Sequence, residues 1–118
     1  ISLVTPTTPY DRLRRIAQKA SGFLYYVSIT GVTGTAKPEI SSVRKDVARI
    51  RSASRLPVAV GFGISDPAQA ALFSGFADAV VVGSAIARLV DEESASGRLH
   101  ERLAAYLRSL KEAIAPSA

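Results

Sequence analysis

The chain has no cysteine, no methionine and a single histidine, His100. Without cysteine there is no disulfide framework and no thiolate metal site, and one histidine cannot build a metal cluster by itself. No apolar run approaches the ~20 residues of a membrane-spanning helix, and residues 1–5 lead into a Thr-Pro turn without a charged signal region. The lack of cysteine leaves the compartment open, but the lack of a membrane span and of a signal region reads as a cytoplasmic protein with no membrane attachment. The lack of methionine at position 1 reads as a chain whose translation starts elsewhere.

Length is scarce as well. At 118 residues one domain is expected, and four βα units of roughly 30 residues each fill it, whereas a closed eightfold barrel needs about 250. With 47% hydrophobic and 21% charged residues the composition is that of an ordinary globular protein. The net charge of +5 is spread over helix-patterned stretches: Arg12, Arg14 and Arg15; Arg44, Lys45, Arg49 and Arg51; Arg98, Arg102, Arg108 and Lys111. Acidic neighbours such as Asp11, Asp46, Glu101 and Glu112 accompany them, so they read as solvated helix faces and not as a nucleic-acid footprint.

Strand and helix patterns alternate. Apolar runs at residues 1–5, 23–29, 57–61 and 79–82 suit parallel strands covered on both faces. Between them, Thr8 is placed to cap a helix that has Pro9 in its first position, Asp11 reaching back to the cap, and Leu13, Ile16, Ala17 and Ala20 as its stripe, with Gly22 ending it. Val43, Val47 and Ile50 mark a second helix, and Ser65-Asp66-Pro67 opens a third that carries Ala70, Ala71 and Phe73. A short helix at 84–90 is followed, after a loop at 94–97, by a long amphipathic one with Leu99, Leu103, Tyr106, Leu107, Leu110 and Ile114. The segment 30–42 is longer than a typical βα connection. The fold class expected is α/β, half of a (β/α) barrel over residues 1–118.

Three successive strands end in glycine: Gly31-Val32-Thr33-Gly34, Gly61-Phe62-Gly63 and Gly83-Ser84. Such turns let the backbone come close to a ligand, and strand C-terminal ends are where barrels hold phosphate. The start of the short helix after Gly83-Ser84 offers free N–H groups and a positive dipole end. Tyr25 is expected to point into the barrel and toward the ligand, with Tyr26 outward, since strand neighbours alternate. Phe62, between two glycines, is placed to pack against a flat apolar ligand. No Asp or Glu is expected where these turns converge, so the chain reads as the binding part of a site without its acid–base part.

The stretches Phe23 to Gly34, Leu56 to Ser65 and Val82-Gly83-Ser84-Ala85 closely resemble the tryptophan synthase alpha chain family, across essentially the whole chain. The resemblance implies the C-terminal half, strands five to eight, of a TIM barrel. It implies a lyase of tryptophan biosynthesis that reversibly splits indole-3-glycerol phosphate into indole and glyceraldehyde 3-phosphate. Gly34, Gly63, Gly83 and Ser84 match the family's phosphate-binding positions; Tyr25, Thr33, Phe62 and Ile64 match substrate-binding ones, Thr33 as the loop residue that meets a catalytic aspartate. Both catalytic carboxylates of the family, a Glu and an Asp, fall in the other half, so no catalytic residue is expected here and this half alone is expected to be inactive. No cofactor is implied for this chain; pyridoxal phosphate belongs to the beta chain, the partner expected in an alpha2-beta2 complex. The other half barrel, or a second copy, is the further partner expected. Alternative readings are another phosphate-binding barrel, such as a phosphoribosyl isomerase, and a non-catalytic, self-associating half barrel.

Overall fold

The computed structural model describes residues 1–28, 39–61 and 63–115. Four strands, β1 (Ser2–Val4), β2 (Leu24–Val27), β3 (Val58–Gly61) and β4 (Ala79–Val81), form one sheet in the order β1-β2-β3-β4. All three pairings are parallel, with Leu3, Tyr25, Ala59 and Ala79 in one row across the sheet and Val4, Tyr26, Val60 and Val80 in the next. Sequential order with helical crossovers is the arrangement of a (β/α) barrel, and four units make half of one.

The two faces of the sheet differ sharply. Leu24, Tyr26, Val58 and Val60 point to the helices and share a core with Leu13 of α1 (Tyr10–Lys19), with Val43, Val47 and Ile50 of α2 (Ile40–Ala53), and with Ala70 and Phe73 of α3 (Pro67–Ser74). Side chains alternate along a strand, so Leu3, Tyr25, Val27 and Val81 face away from this core. Leu3 is 58% exposed there. The helices thus cover the outer face, while on the inner face, which in a barrel is packed core, exposure rises from Ala59 at 2% to Leu3 at the edge strand.

Local chemistry explains the helix boundaries, with one correction. Asp66 accepts the N–H of Gln69 at 2.8 Å ahead of Pro67, a capped and proline-started helix as expected. At α1 the cap is Pro9, with no side-chain capping bond. The Thr8 hydroxyl, expected to cap it, instead accepts the Thr5 N–H at 3.0 Å, while the Thr8 N–H donates to the Thr5 carbonyl at 3.1 Å. Thr8 is consumed by closing that turn. Pro9 has no N–H for Asp11 to reach back to, so Asp11 acts only through the helix dipole.

Two helices follow β4, as expected, but the first is longer than its pattern suggested. It runs as α4 (Ser84–Glu93), and α5 (Leu99–Ile114) packs against both it and α3. The apolar stripe of α5 is wider than the face it buries: Leu110 is 7% exposed, whereas Leu107 and Ile114 are 45% and 39% exposed. No described helix is long and apolar enough to cross a membrane.

Candidate functional site

The C-terminal ends of β2, β3 and β4 lie side by side, in the order in which their strands pair. At β2 the chain leaves through Ser28, whose N–H and hydroxyl both donate to the Gly61 carbonyl, at 3.2 and 3.0 Å. This ties the end of β2 to the end of β3 just below the second glycine turn. Gly61 lies directly under Tyr25: a Cβ there would lie 2.7 Å from both Cε2 and Cζ of the ring, so the ring would have to shift to admit one. Tyr25 therefore crosses the sheet's inner face and lays its hydroxyl over the end of β3.

Gly63 has φ of 75°, a left-handed conformation that a residue with a Cβ rarely adopts. It is exposed, and the turn it makes delivers Ile64 and Ser65 to opposite fates. Ile64, at 4% exposed, packs into the helix-side core, where its contacts are with protein. Ser65 is fixed at both backbone groups, its N–H donating to Gln69 Oε1 at 3.0 Å and its carbonyl accepting the Tyr106 hydroxyl at 2.9 Å. Burial, and after it the nearby Asp66 charge, pushes the Tyr106 phenol up from its usual range, so it remains a donor to that carbonyl.

At the end of β4, Gly83 is the N-cap of α4 and Ser84 its first residue, both exposed and with no side-chain cap. The Gly83 carbonyl accepts the Ala87 N–H at 3.0 Å, the first bond of the helix. The N–H groups of the first turn therefore have no partner inside the helix and point outward with its positive dipole end. Among the described residues, a Cβ built on Gly83 meets nothing within 4 Å. Gly63, Gly83 and Ser84 are thus exposed on adjacent strand ends, and Tyr25 stands beside them. Thr33, Gly34 and Phe62 lie outside the described residues.

Several of the described carboxylates are engaged elsewhere. Asp66 caps α3, and Glu39 accepts the Ser41 hydroxyl at the start of α2. Asp78, entering β4 from the opposite end, accepts the Val58 N–H at 2.8 Å and Arg51 at 3.0 Å. Glu93 pairs with Arg102 at 3.3 Å with its side chain only 11% exposed. Among the described residues no group of three His, Asp or Glu could hold a metal ion.

Two polar roles escaped the sequence reading. Asp46, read as part of a solvated face, accepts the hydroxyl of the fully buried Tyr26 at 2.5 Å. Burial raises the Tyr26 pKa, and the bond to the Asp46 carboxylate raises it further. The spacing of Asp46 between Val43 and Val47 carried no signal of this, because its partner sits on another element. Glu93, near the end of α4, was equally hidden.

A family model described as the tryptophan synthase alpha chain matches residues 1–115. The tryptophan synthase alpha chain of Geotalea daltonii is 49% identical over 115 residues, which cover 98% of this chain and 43% of that protein. That of a Caulobacter species is 52% identical over 103 residues, or 87% and 36%. Among solved structures, tryptophan synthase subunit alpha from Legionella pneumophila superposes with a TM-score of 0.81 at 33% identity, covering 96% of this chain and 41% of its own. Tryptophan synthase from M. tuberculosis, in an aminoacrylate-bound form, gives 0.77 at 30%, covering 96% and 39%. The chain thus spans about two fifths of the length of the Geotalea relative. With the half-barrel topology and three glycine-bearing strand ends in the same chain, it belongs to the tryptophan synthase alpha chain family.

Proposed function

We propose that this chain forms the C-terminal, phosphate- and indole-binding half of a tryptophan synthase alpha barrel. In the complete barrel it takes part in the reversible aldol cleavage of indole-3-glycerol phosphate to indole and glyceraldehyde 3-phosphate. The observation that carries the reading is the uncapped start of α4 at Gly83-Ser84, beside the exposed Gly63 turn, in a chain matched to the family over residues 1–115. Backbone N–H groups at Gly63, Gly83 and Ser84, with Gly34 from the preceding connection, would hold the phosphate dianion. Tyr25, Thr33, Phe62 and Ile64 would line the indole end. Of these, Ile64 contributes through the shape of the turn, since its side chain is buried.

Aldol cleavage needs groups that move protons at the breaking C–C bond. Asp66 caps α3, Asp78 and Glu93 pair with arginines and Asp46 holds Tyr26, and the acid and base are assigned to the rest of the barrel. No cofactor is assigned to this chain. Pyridoxal phosphate belongs to the beta-chain partner, which would receive the indole in an alpha2-beta2 assembly in the cytoplasm. Neither a phosphoribosyl isomerase nor a non-catalytic half barrel is favoured by the relatives found.

The test uses a complete alpha-chain barrel carrying these residues, assayed for release of indole from indole-3-glycerol phosphate. Ser84→Asp sets a carboxylate against the phosphate and is expected to raise KM by about two orders of magnitude or more. Glyceraldehyde 3-phosphate is expected to shift the Gly63, Gly83 and Ser84 amide resonances in the unsubstituted protein alone. A Ser84→Asp enzyme with unchanged KM, or unmoved resonances at saturating ligand, would overturn the reading.

A further inference from the structure

A polar pair joins α2 to β2 within an otherwise apolar core. Val43, Val47 and Ile50 lie in the same core as Leu24, Val58 and Val60. In their midst the Tyr26 hydroxyl donates to Asp46 at 2.5 Å. Asp46 lies 3.7 Å from the Arg49 guanidinium, whose Nη1 donates to the Thr8 carbonyl at 2.8 Å. The network therefore runs from β2 through α2 to the connection between β1 and α1. An aliphatic stripe spaced i, i+4, i+7 makes similar contacts after a small slide along the helix axis. A buried phenol does not tolerate that slide, because losing its acceptor leaves an unsatisfied hydroxyl. The polar pair fixes what the apolar stripe leaves loose.

The proposed site lies on the opposite face of the same strand. Tyr25 precedes Tyr26, and its ring rests against Gly61 so closely that a Cβ there would make it shift. The placement of the ring depends on how β2 is rolled about its own axis. The strand has four residues, and its ladder bonds restrain it only along its two edges. An anchor behind the strand at Tyr26 removes the remaining freedom in front at Tyr25. We infer that Tyr26, Asp46 and Arg49 are positioning residues that hold the Tyr25 ring in place over Gly61, and so set its placement beside the substrate. This inference rests on the alpha-chain reading of the site.

A complete alpha-chain barrel carrying these residues, labelled with 13C at tyrosine Cζ, provides the experiment. Tyr26→Phe and Asp46→Ala are each expected to shift the Tyr25 Cζ resonance and to lower kcat/KM for indole release roughly tenfold. Asp46→Asn keeps an acceptor for the phenol and is expected to restore most of both. Adding Tyr26→Phe to a Tyr25→Val enzyme, which lacks the ring, is expected to lower activity little further, because the two act through one ring. A Tyr25 resonance that stays put in Tyr26→Phe and in Asp46→Ala overturns the inference. So does an activity loss no larger than that of a Val47→Ala control with the same melting temperature. If the resonance moves but the unsubstituted enzyme releases no indole, the positioning of Tyr25 stands and the substrate assignment falls.

Discussion

Gly61 and Tyr25 show how closely one residue can constrain another across two strands. They are not direct register partners, since Tyr25 lies opposite Ala59 and Gly61 opposite Val27. The ring nonetheless leans along the strand direction until it covers the Gly61 Cα. Gly61→Ala is expected to push the ring off this position, with an overpacking cost of about 1–3 kcal/mol and a fall in kcat/KM of the complete barrel. Adding Tyr25→Val removes the ring and is expected to return most of the lost stability but none of the activity. Thermal unfolding of the two variants checks this. A Gly61→Ala protein as stable as its parent would mean that the ring is free to move aside.

Asp78 works at the other end of the sheet, where its carboxylate ties the starts of β3 and β4 together. The Val58 N–H bond is the main cause holding its pKa below the usual carboxylate range, with Arg51 assisting and partial burial opposing. A carboxyl with a lowered folded-state pKa stabilises the fold above its unfolded value of about 3.9, and that contribution is lost as pH falls through the folded value. Asp78→Asn is therefore expected to lower stability near neutrality, where the carboxylate's contribution is fully present, and to flatten the acid limb below about pH 4, with the Arg51 share small because exposure screens that pair. Denaturant titrations at a series of pH values read this directly. An acid limb identical in the two proteins would remove Asp78 as its source.

At the scale of elements, helices that bury a clean stripe differ from those that do not. Ile50 on α2 is fully buried in the core, whereas Ile114 on α5 keeps 39% exposure. Ile50→Ala is expected to destabilise by about 2–5 kcal/mol, and Ile114→Ala to stay within about 0.5 kcal/mol. Equal losses in a urea titration would show that α5 buries its whole stripe. The α2 stripe was legible in the sequence because Val43, Val47 and Ile50 obey one period and meet one neighbouring sheet. The α5 pattern overstated burial because period reports which side chains share a face, not whether anything lies against it. Strand ends were legible for a similar reason, since the glycines sit where apolar runs stop. Asp46 was not, because hydrogen bonds between elements 20 residues apart leave no local spacing to read. Thr8 was misplaced because two turn chemistries compete for one hydroxyl, and the turn closed by Thr5 takes it.

For the whole molecule, the decisive feature is an apolar sheet face with no second layer on it among the described residues. Leu3, Tyr25, Val27 and Val81 lie on the side away from the helices, and among the described residues the outer edges of β1 and β4 carry no further strand. In a closed barrel those side chains form a packed interior and those edges are paired. Left open, each edge presents unpaired N–H and C=O groups, and neither strand contains a proline or a charge to discourage pairing. When made alone, the 118-residue chain is therefore expected to associate, either with itself edge to edge or with an added complementary half barrel. Light scattering over a dilution series measures the first outcome, and co-elution with recovery of indole release measures the second. The edges also give a residue-level signature: amides of β1 and β4 should gain protection from hydrogen exchange when the complementary half is added, while those of β2 and β3, already paired on both sides, change little. A monodisperse 12.4 kDa species with sharp side-chain resonances, and with β1 and β4 amides as protected as those of β2, would show that the open face is tolerated and that the other half is not needed to complete the fold.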